Sequence, residues 1–347
     1  MQAQAVMKDL MKYQKSEKMR TFILIICVAM VLVSCSSLPK KRDTRNPTVF
    51  QADNIVKKAA QLEKLQAYSS ALEYYQIALE KYQLTDDVKE ALRTQISIAR
   101  QFNKLNQKQE YLSIVDEIES NLFYQKDTDD LKNNLALLKI ENLYHTSQYD
   151  SLMNVITSIK SKNEEIILRK QTWQLLGLFE TNAKYKEQKK ELEENAKKAM
   201  NYYMKKKFDS VSAISFAFYT LGYVSYHNTD AKNADFKHAI SLFKQAYEAD
   251  LIDQNFINIA TDLYYIASAY QKLNDYQNAS WYFERAANIY EQLLEHENSE
   301  YARFYSIKNK HMHENKQLFI EQAQLISNKT QSDDLKNKIN EWILEKE

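Results

Sequence analysis

Small and aromatic residues recur at helical spacing along this chain, and in three places the pattern is nearly the same. Ala71, Tyr75 and Ala78 form one block, Ala239, Phe243 and Ala246 a second, and Ala279, Phe283 and Ala286 a third. Steps of four and three keep such side chains on one face of an α-helix. A further helical stripe stands upstream of two of the blocks: Ile55, Ala59, Leu62, Leu65 and Tyr68 precede the first as Leu263, Ala267, Tyr270, Leu273 and Tyr276 precede the third. The recurring unit is a pair of helices joined by a short turn.

From about Phe50 onward the pattern predicts six such hairpins. The second carries Ile98, Ala99 and Phe102, then Tyr111, Val115 and Ile118; the third carries Ile140 and Leu143, then Tyr149, Leu152, Ile156 and Ile159. Trp173, Leu176 and Gly177 open the fourth, whose second helix is expected on Ala196, Met200 and Tyr203, about two helical turns late. Phe218, Leu221 and Gly222 open the fifth, and a polar loop over residues 227–235 separates them from its second helix. After Leu294, a turn over residues 295–299, one long helix to about Ser327 and an amphipathic segment with Leu335, Ile339, Trp342, Ile343 and Leu344 are expected to cap the array.

The alanine–aromatic–alanine blocks and the Trp173-x-x-Leu176-Gly177 string resemble the tetratricopeptide repeat (TPR). The resemblance implies an all-α fold, a TPR-like helix–turn–helix solenoid wound as a right-handed superhelix with C-terminal capping helices. It also implies a concave groove lined by the first helix of each hairpin, and a role in binding other proteins rather than in catalysis.

Composition agrees with an almost wholly helical chain, because glycine and proline each occur only twice in 347 residues. Gly177 and Gly222 stand inside apolar helical runs, where a glycine costs roughly 1 kcal/mol against alanine and calls for a packing reason. With 47 basic and 46 acidic side chains there is no electrostatic footprint for nucleic acid.

The N-terminal region is organised differently. An apolar run over residues 21–33 follows Lys15, Lys18 and Arg20 and ends in Leu32-Val33-Ser34-Cys35. The run is too short to span a bilayer comfortably, and its basic, apolar and small-residue zones are those of a secretory signal. The closing tetrapeptide resembles a bacterial lipobox, which implies cleavage before Cys35 and lipidation of its thiol. An uncleaved anchor helix or an ordinary signal peptide is the alternative. Cys27, the other cysteine, lies within the run, so the mature chain is expected to hold no free thiol. Residues 1–34 are thus read as a signal peptide, with Met19 a candidate true start, residues 35–50 as a lipidated tether, 51–294 as the repeat solenoid and 295–347 as capping helices. Ser36 after the cysteine resembles the outer-membrane retention pattern of lipoproteins, facing the periplasm.

No catalytic or cofactor motif is present in the sequence. Two isolated glycines make neither a P-loop, a dinucleotide-binding turn nor a nucleophile elbow, and His311 and His313 diverge on a helix instead of sharing a metal. The expectation is a non-enzyme with no cofactor and no metal site. In the groove register, Phe216, Tyr219, Tyr223 and Tyr226, with His227 beside them, and Tyr264 of the sixth hairpin form a candidate partner-binding stripe. Packing between neighbouring helices is the competing explanation for the same tyrosines. Asp53, Glu63, Lys64, Arg93, Arg100 and Lys104 supply a charged contrast in the first two hairpins. The expected function is a membrane-anchored scaffold that binds a protein or peptide on the periplasmic side. A transporter accessory handling a small apolar ligand and the sensor part of a signalling system are the alternatives.

Overall fold

The computed structural model describes residues 46–125, 128–205, 210–228, 231–311 and 315–344. Cys35 and the lipobox lie outside them. Residues 48–347 make up one compact unit. Its first three helical pairs are α1 (Pro47–Lys64) with α2 (Tyr68–Leu84), α3 (Val88–Lys104) with α4 (Lys108–Tyr124), and α5 (Asp129–His145) with α6 (Tyr149–Ser158). Three more follow: α7 (Glu164–Glu180) with α8 (Lys186–Met204), α9 (Val211–Tyr226) with α10 (Asn233–Asp253), and α11 (Phe256–Lys272) with α12 (Tyr276–Gln292). Helices α13 (His296–His311), α14 (Lys316–Lys329) and α15 (Asp333–Leu344) complete the described chain, in which no strand occurs.

One turn geometry, used repeatedly, sets the hairpins. Gln66, Asp86, Asn106, Ser147, Asn182, Gln254, Asn274 and Leu294 each adopt the left-handed conformation just after a helix. The following amide then donates back across the turn, as Ala67 does to the Leu62 carbonyl at 3.0 Å, Gln107 to Phe102 at 2.9 Å and Asp275 to Tyr270 at 3.0 Å. This closure satisfies carbonyls that a helix end leaves without partners. At the other ends, side chains of Asp87, Asn163, Asn255, Asp275 and Asn315 accept backbone amides of the first turn. Mostly polar residues, with Leu294 the exception, do here what glycine does elsewhere, which is how a chain with so few glycines still turns sharply.

The packing follows the three sequence blocks. All six of their alanines are fully buried, and Tyr75, Phe243 and Phe283 are almost so. Burial of such a large side chain contributes roughly 1.5–3 kcal/mol, and it is the alanines that let the neighbouring helix come close enough to supply it. Both glycines occupy still tighter crossings. A β-carbon on Gly177 would stand 2.9 Å from Leu152 Cδ2, and one on Gly222 would stand 2.7 Å from the Phe243 ring.

Two details differ from the sequence expectation. In α8 the buried stripe is Leu192, Ala196 and Ala199, with Met200 and Tyr203 only partly buried at its margin. No two extra helical turns stand between α7 and α8; the joining residues are 181–185, and the surplus is absorbed because the Lys- and Glu-rich run lengthens α8 to 19 residues. The turn expected over residues 295–299 is already helical from His296, and the one long helix expected after it is two, α13 and α14. The polar stretch after α13 ends in Asn315, whose side chain caps the Leu318 amide and starts α14 afresh. Phe304, Phe319, Ala323, Leu335, Ile339 and Ile343 then form a core among α13, α14 and α15.

Candidate functional site

Because hairpin follows hairpin, the first helices of the pairs share one side, and α1, α3, α5, α7, α9 and the start of α11 line a cleft of about 880 Å³. Its two ends meet. The Lys64 ammonium at the end of α1 donates to the Asp253 carboxylate and to its backbone carbonyl, both at 2.7 Å, across 189 residues of chain. Lys64 stands at a turn within the first hairpin, whereas Asp253 stands at a turn between hairpins. One edge of the array therefore meets the other after five hairpins.

The cleft has a polar half and an aromatic half. In the polar half, Glu141 of α5 accepts Lys104 at 2.6 Å and lies 4.0 Å from Arg100. Burial by itself would raise the Glu141 carboxyl, but Lys104 and Arg100 outweigh it and hold the group below its ordinary range. Burial and Lys104 together push His145 down, against the pull of Glu141. Arg169 pairs with Glu165 at 3.0 Å and donates to Ser212 at 2.8 Å. Glu63 accepts the Tyr75 hydroxyl at 3.0 Å. Most ionic side chains of this wall thus have a partner of opposite charge within the protein; Glu63 is held by a phenol instead. Of the charged residues expected here, Glu63, Lys64, Arg100 and Lys104 line the cleft; Asp53 instead accepts the Tyr82 hydroxyl, and Arg93 pairs with Glu90 and Asp130.

Aromatic rings continue the wall. Tyr144, Trp173 and Phe216 follow one another at 5.4 and 4.9 Å between ring centres. Tyr219 and Tyr223 stack at 6.3 Å one turn apart on α9, and Tyr144 donates to Glu180 at 3.1 Å. Of the predicted stripe, Phe216, Tyr219 and Tyr223 line the cleft, and Tyr264 lines an adjoining pocket of about 430 Å³ that also touches Tyr219. Tyr226 lines neither; it packs against Phe236 and Tyr265, beside His227. Burial and the neighbouring Tyr265 raise the phenols of Tyr219 and Tyr223, so both are neutral donors at ordinary pH.

Several site residues escaped the sequence reading. Tyr265 is the hub of the cluster, with Tyr219, Tyr223 and Phe243 within 5.2–6.0 Å of its ring. Like its neighbour Tyr264 it lines the 430 Å³ pocket, and its ring also meets α9 and α10. Trp173 was legible only as the opening of a hairpin. Asp250 and Asp262, buried behind this wall, carried no local signal at all. Asp250 accepts Ser215 of α9 and Asn258 of α11, whereas neither Asp262 oxygen has a hydrogen-bond partner, and burial with the nearby Asp250 holds the Asp262 carboxyl well above its ordinary range. Among the described residues, no group of three or more His, Cys, Asp or Glu side chains is placed to hold a metal ion.

Among solved structures, the chain is similar to a signal-transduction ATPase with numerous domains that carries a tetratricopeptide repeat sensor, from Pyrococcus horikoshii. The two superpose with a TM-score of 0.52 at 15% identity, over 84% of this chain and 48% of the other. This chain therefore spans about half the length of that one. At such identity the likeness concerns fold, and with the fifteen helices above it defines an all-α, TPR-like solenoid. No protein-family model and no curated protein matches the sequence.

Proposed function

We propose that this chain is a lipid-anchored adaptor of a bacterial envelope, tied through Cys35 to the outer membrane on its periplasmic side. Its cleft holds an extended, uncharged segment of a partner protein. One observation carries the reading: the first helices of successive hairpins form a cleft most of whose charges are paired internally and whose wall includes the aromatic run Tyr144, Trp173, Phe216, Tyr219 and Tyr223. A charged ligand would have to break those pairs, whereas an apolar or amide-rich segment finds ring faces and phenol donors. The reading is non-catalytic and invokes no cofactor.

Selection of random linear peptides on the purified protein tests it. Uncharged peptides rich in aliphatic and aromatic residues are expected to enrich, and Trp173→Ala or Tyr223→Ala to weaken the best of them by about tenfold or more. Trp281→Ala, on the outer surface, is expected to leave affinity unchanged. Failure to enrich any peptide, or indifference to both cleft variants, would remove the proposal. The cleft volume, about 880 Å³, favours a second reading because it falls within the roughly 300–1,000 Å³ of small-molecule sites. Saturable binding of an amphiphile that Trp173→Ala abolishes, with no peptide enrichment, would establish that reading instead.

A further inference from the structure

The pocket of about 430 Å³ beside the cleft lies where the two ends of the array come together. Gln66, in the turn just past Lys64, closes one side, and α11, α12 and the start of α13 supply most of the rest. Five tyrosines line it: Tyr219, Tyr264, Tyr265, Tyr290 and Tyr301. Apart from those phenols its one ionisable side chain is Glu295, and no Lys, Arg or His is among the lining residues. Glu295 accepts the Asn298 side-chain amide at 3.1 Å and has no cationic partner among the described residues. Cations beside the pocket are already in use. Lys64 pairs with Asp253, Arg303 with Glu291, and Lys338, 5.2 Å from the centre of the Tyr301 ring, with Asp334 at 3.8 Å. His296, next to Glu295, is exposed and does not line the pocket, and Glu297 beyond it accepts Ser332.

The hydrogens of this wall decide what it can hold. Thr261 donates its hydroxyl proton to the Ile257 carbonyl at 2.9 Å, so the Tyr290 hydroxyl, 3.0 Å away, donates to the Thr261 oxygen. Tyr301 donates to Asp334, and Asn298 to Glu295. Gln66 and the phenols of Tyr219, Tyr264 and Tyr265 can donate or accept. What the wall offers is therefore oxygen lone pairs, ring faces and one carboxylate. Such a set has no cation to hold an anion and matches a group that carries both N–H and positive charge. Burial above all pushes the Tyr290 phenol up to about 12, and Glu295 adds to the rise, which puts the carboxylate within electrostatic reach of this wall. We propose that the pocket binds a singly charged organic ammonium ion, its N–H groups at Glu295 beside the Tyr290 and Thr261 hydroxyls and its hydrocarbon body against Tyr264 and Tyr265. One carboxylate sets one charge. The volume leaves room for the body, falling within the roughly 300–1,000 Å³ of small-molecule sites. The proposal does not depend on what the main cleft holds.

Titration calorimetry on the full chain, with probes of one shape, tests this. Benzylammonium is expected to bind saturably at one site. Benzyl alcohol, which lacks the charge, and benzyltrimethylammonium, which lacks the N–H, are expected to bind at least about tenfold more weakly, and benzoate not at all. Nα-acetyl-lysine methylamide separates the two sources of an ammonium group, a free amine or a protein side chain, the tighter of the two probes naming the source. Glu295→Gln and Tyr290→Phe should each weaken benzylammonium by about tenfold, whereas Glu291→Gln, at the Arg303 pair outside the pocket, should leave it unchanged. Absence of binding by either ammonium probe, equal affinity for benzylammonium and benzyl alcohol, or a Glu295→Gln protein that binds as the parent does would overturn the proposal. So would loss of the amine in Trp173→Ala, which would move the ligand to the main cleft. Failure of peptide selection on the cleft bears on that reading alone.

Discussion

Replacing Asp262 by asparagine is expected to stabilise the protein, and to do so more at pH 8 than at pH 5. Burial holds both carboxyls up, Asp250 to about 6 from 3.8 and Asp262 well above 3.8, the proximity of Asp250 adding to the second. Groups raised in this way retain protons in the folded state that the unfolded chain has released. Their contribution is most favourable below about pH 4 and is lost as pH rises through 6, the unfolded chain binding fewer protons throughout that window. Burial lowers His145 and His227, which titrate with the opposite sign in the same range. They are common to both proteins and cancel in the comparison. The asparagine amide can donate to Asp250, with no charge to bury. Urea unfolding of the two proteins at pH 5 and 8 measures the effect; a variant less stable at pH 8 than the parent would refute the cost assigned to the buried Asp262 carboxyl. The pair matters to the cleft because Asp250, on α10, is held by Ser215 of α9 and Asn258 of α11, the helices that carry the tyrosine wall.

Gly222→Ala is expected to have opposite signs in two backgrounds. In the parent protein, the new β-carbon meets the fully buried Phe243 ring at 2.7–3.0 Å, and relieving that overlap costs about 1–3 kcal/mol, more than the roughly 1 kcal/mol that alanine gains as a helix former. Phe243→Ala alone empties the site and costs about 3–5 kcal/mol. Once the ring is gone, Gly222→Ala meets open space, and only its helix-forming gain and partial filling of the cavity remain. It should then stabilise. A double-mutant cycle by denaturant unfolding reads this directly, and additive effects would mean that the two residues do not share the crossing.

The hairpins were legible because one pattern reports both helix and partner: Ala71, Tyr75 and Ala78 are helical by spacing and mutually packed by size. The α8 register was not, since Leu192 stands where the repeat pattern offers a small residue and Ala196 and Ala199 fit two frames equally well. Nor was the break before α14, which depends on Asn315 acting as a cap in a stretch of otherwise good helix formers. Phe216, Tyr219 and Tyr223 followed from groove register. Tyr226 did not: it points within about 20° of Tyr219 around the helix, but as the last residue of α9 it packs on Phe236 and Tyr265. The Lys64–Asp253 closure and the Asp250–Asp262 pair depend on how much the coil rises per hairpin and on which elements it brings together, which local spacing does not encode.

A photoreactive phenylalanine analogue placed at Tyr223 tests most directly whether the cleft is the binding surface. Lipidated protein in intact cells is irradiated, and adducts are compared with those from the same analogue at Trp281 on the outer surface and at Tyr226 behind the wall. The account predicts a discrete protein adduct from position 223 that Trp173→Ala diminishes, with none from 226 or 281. Adducts that form equally at 223 and 281, or that persist undiminished in the Trp173→Ala protein, would contradict it.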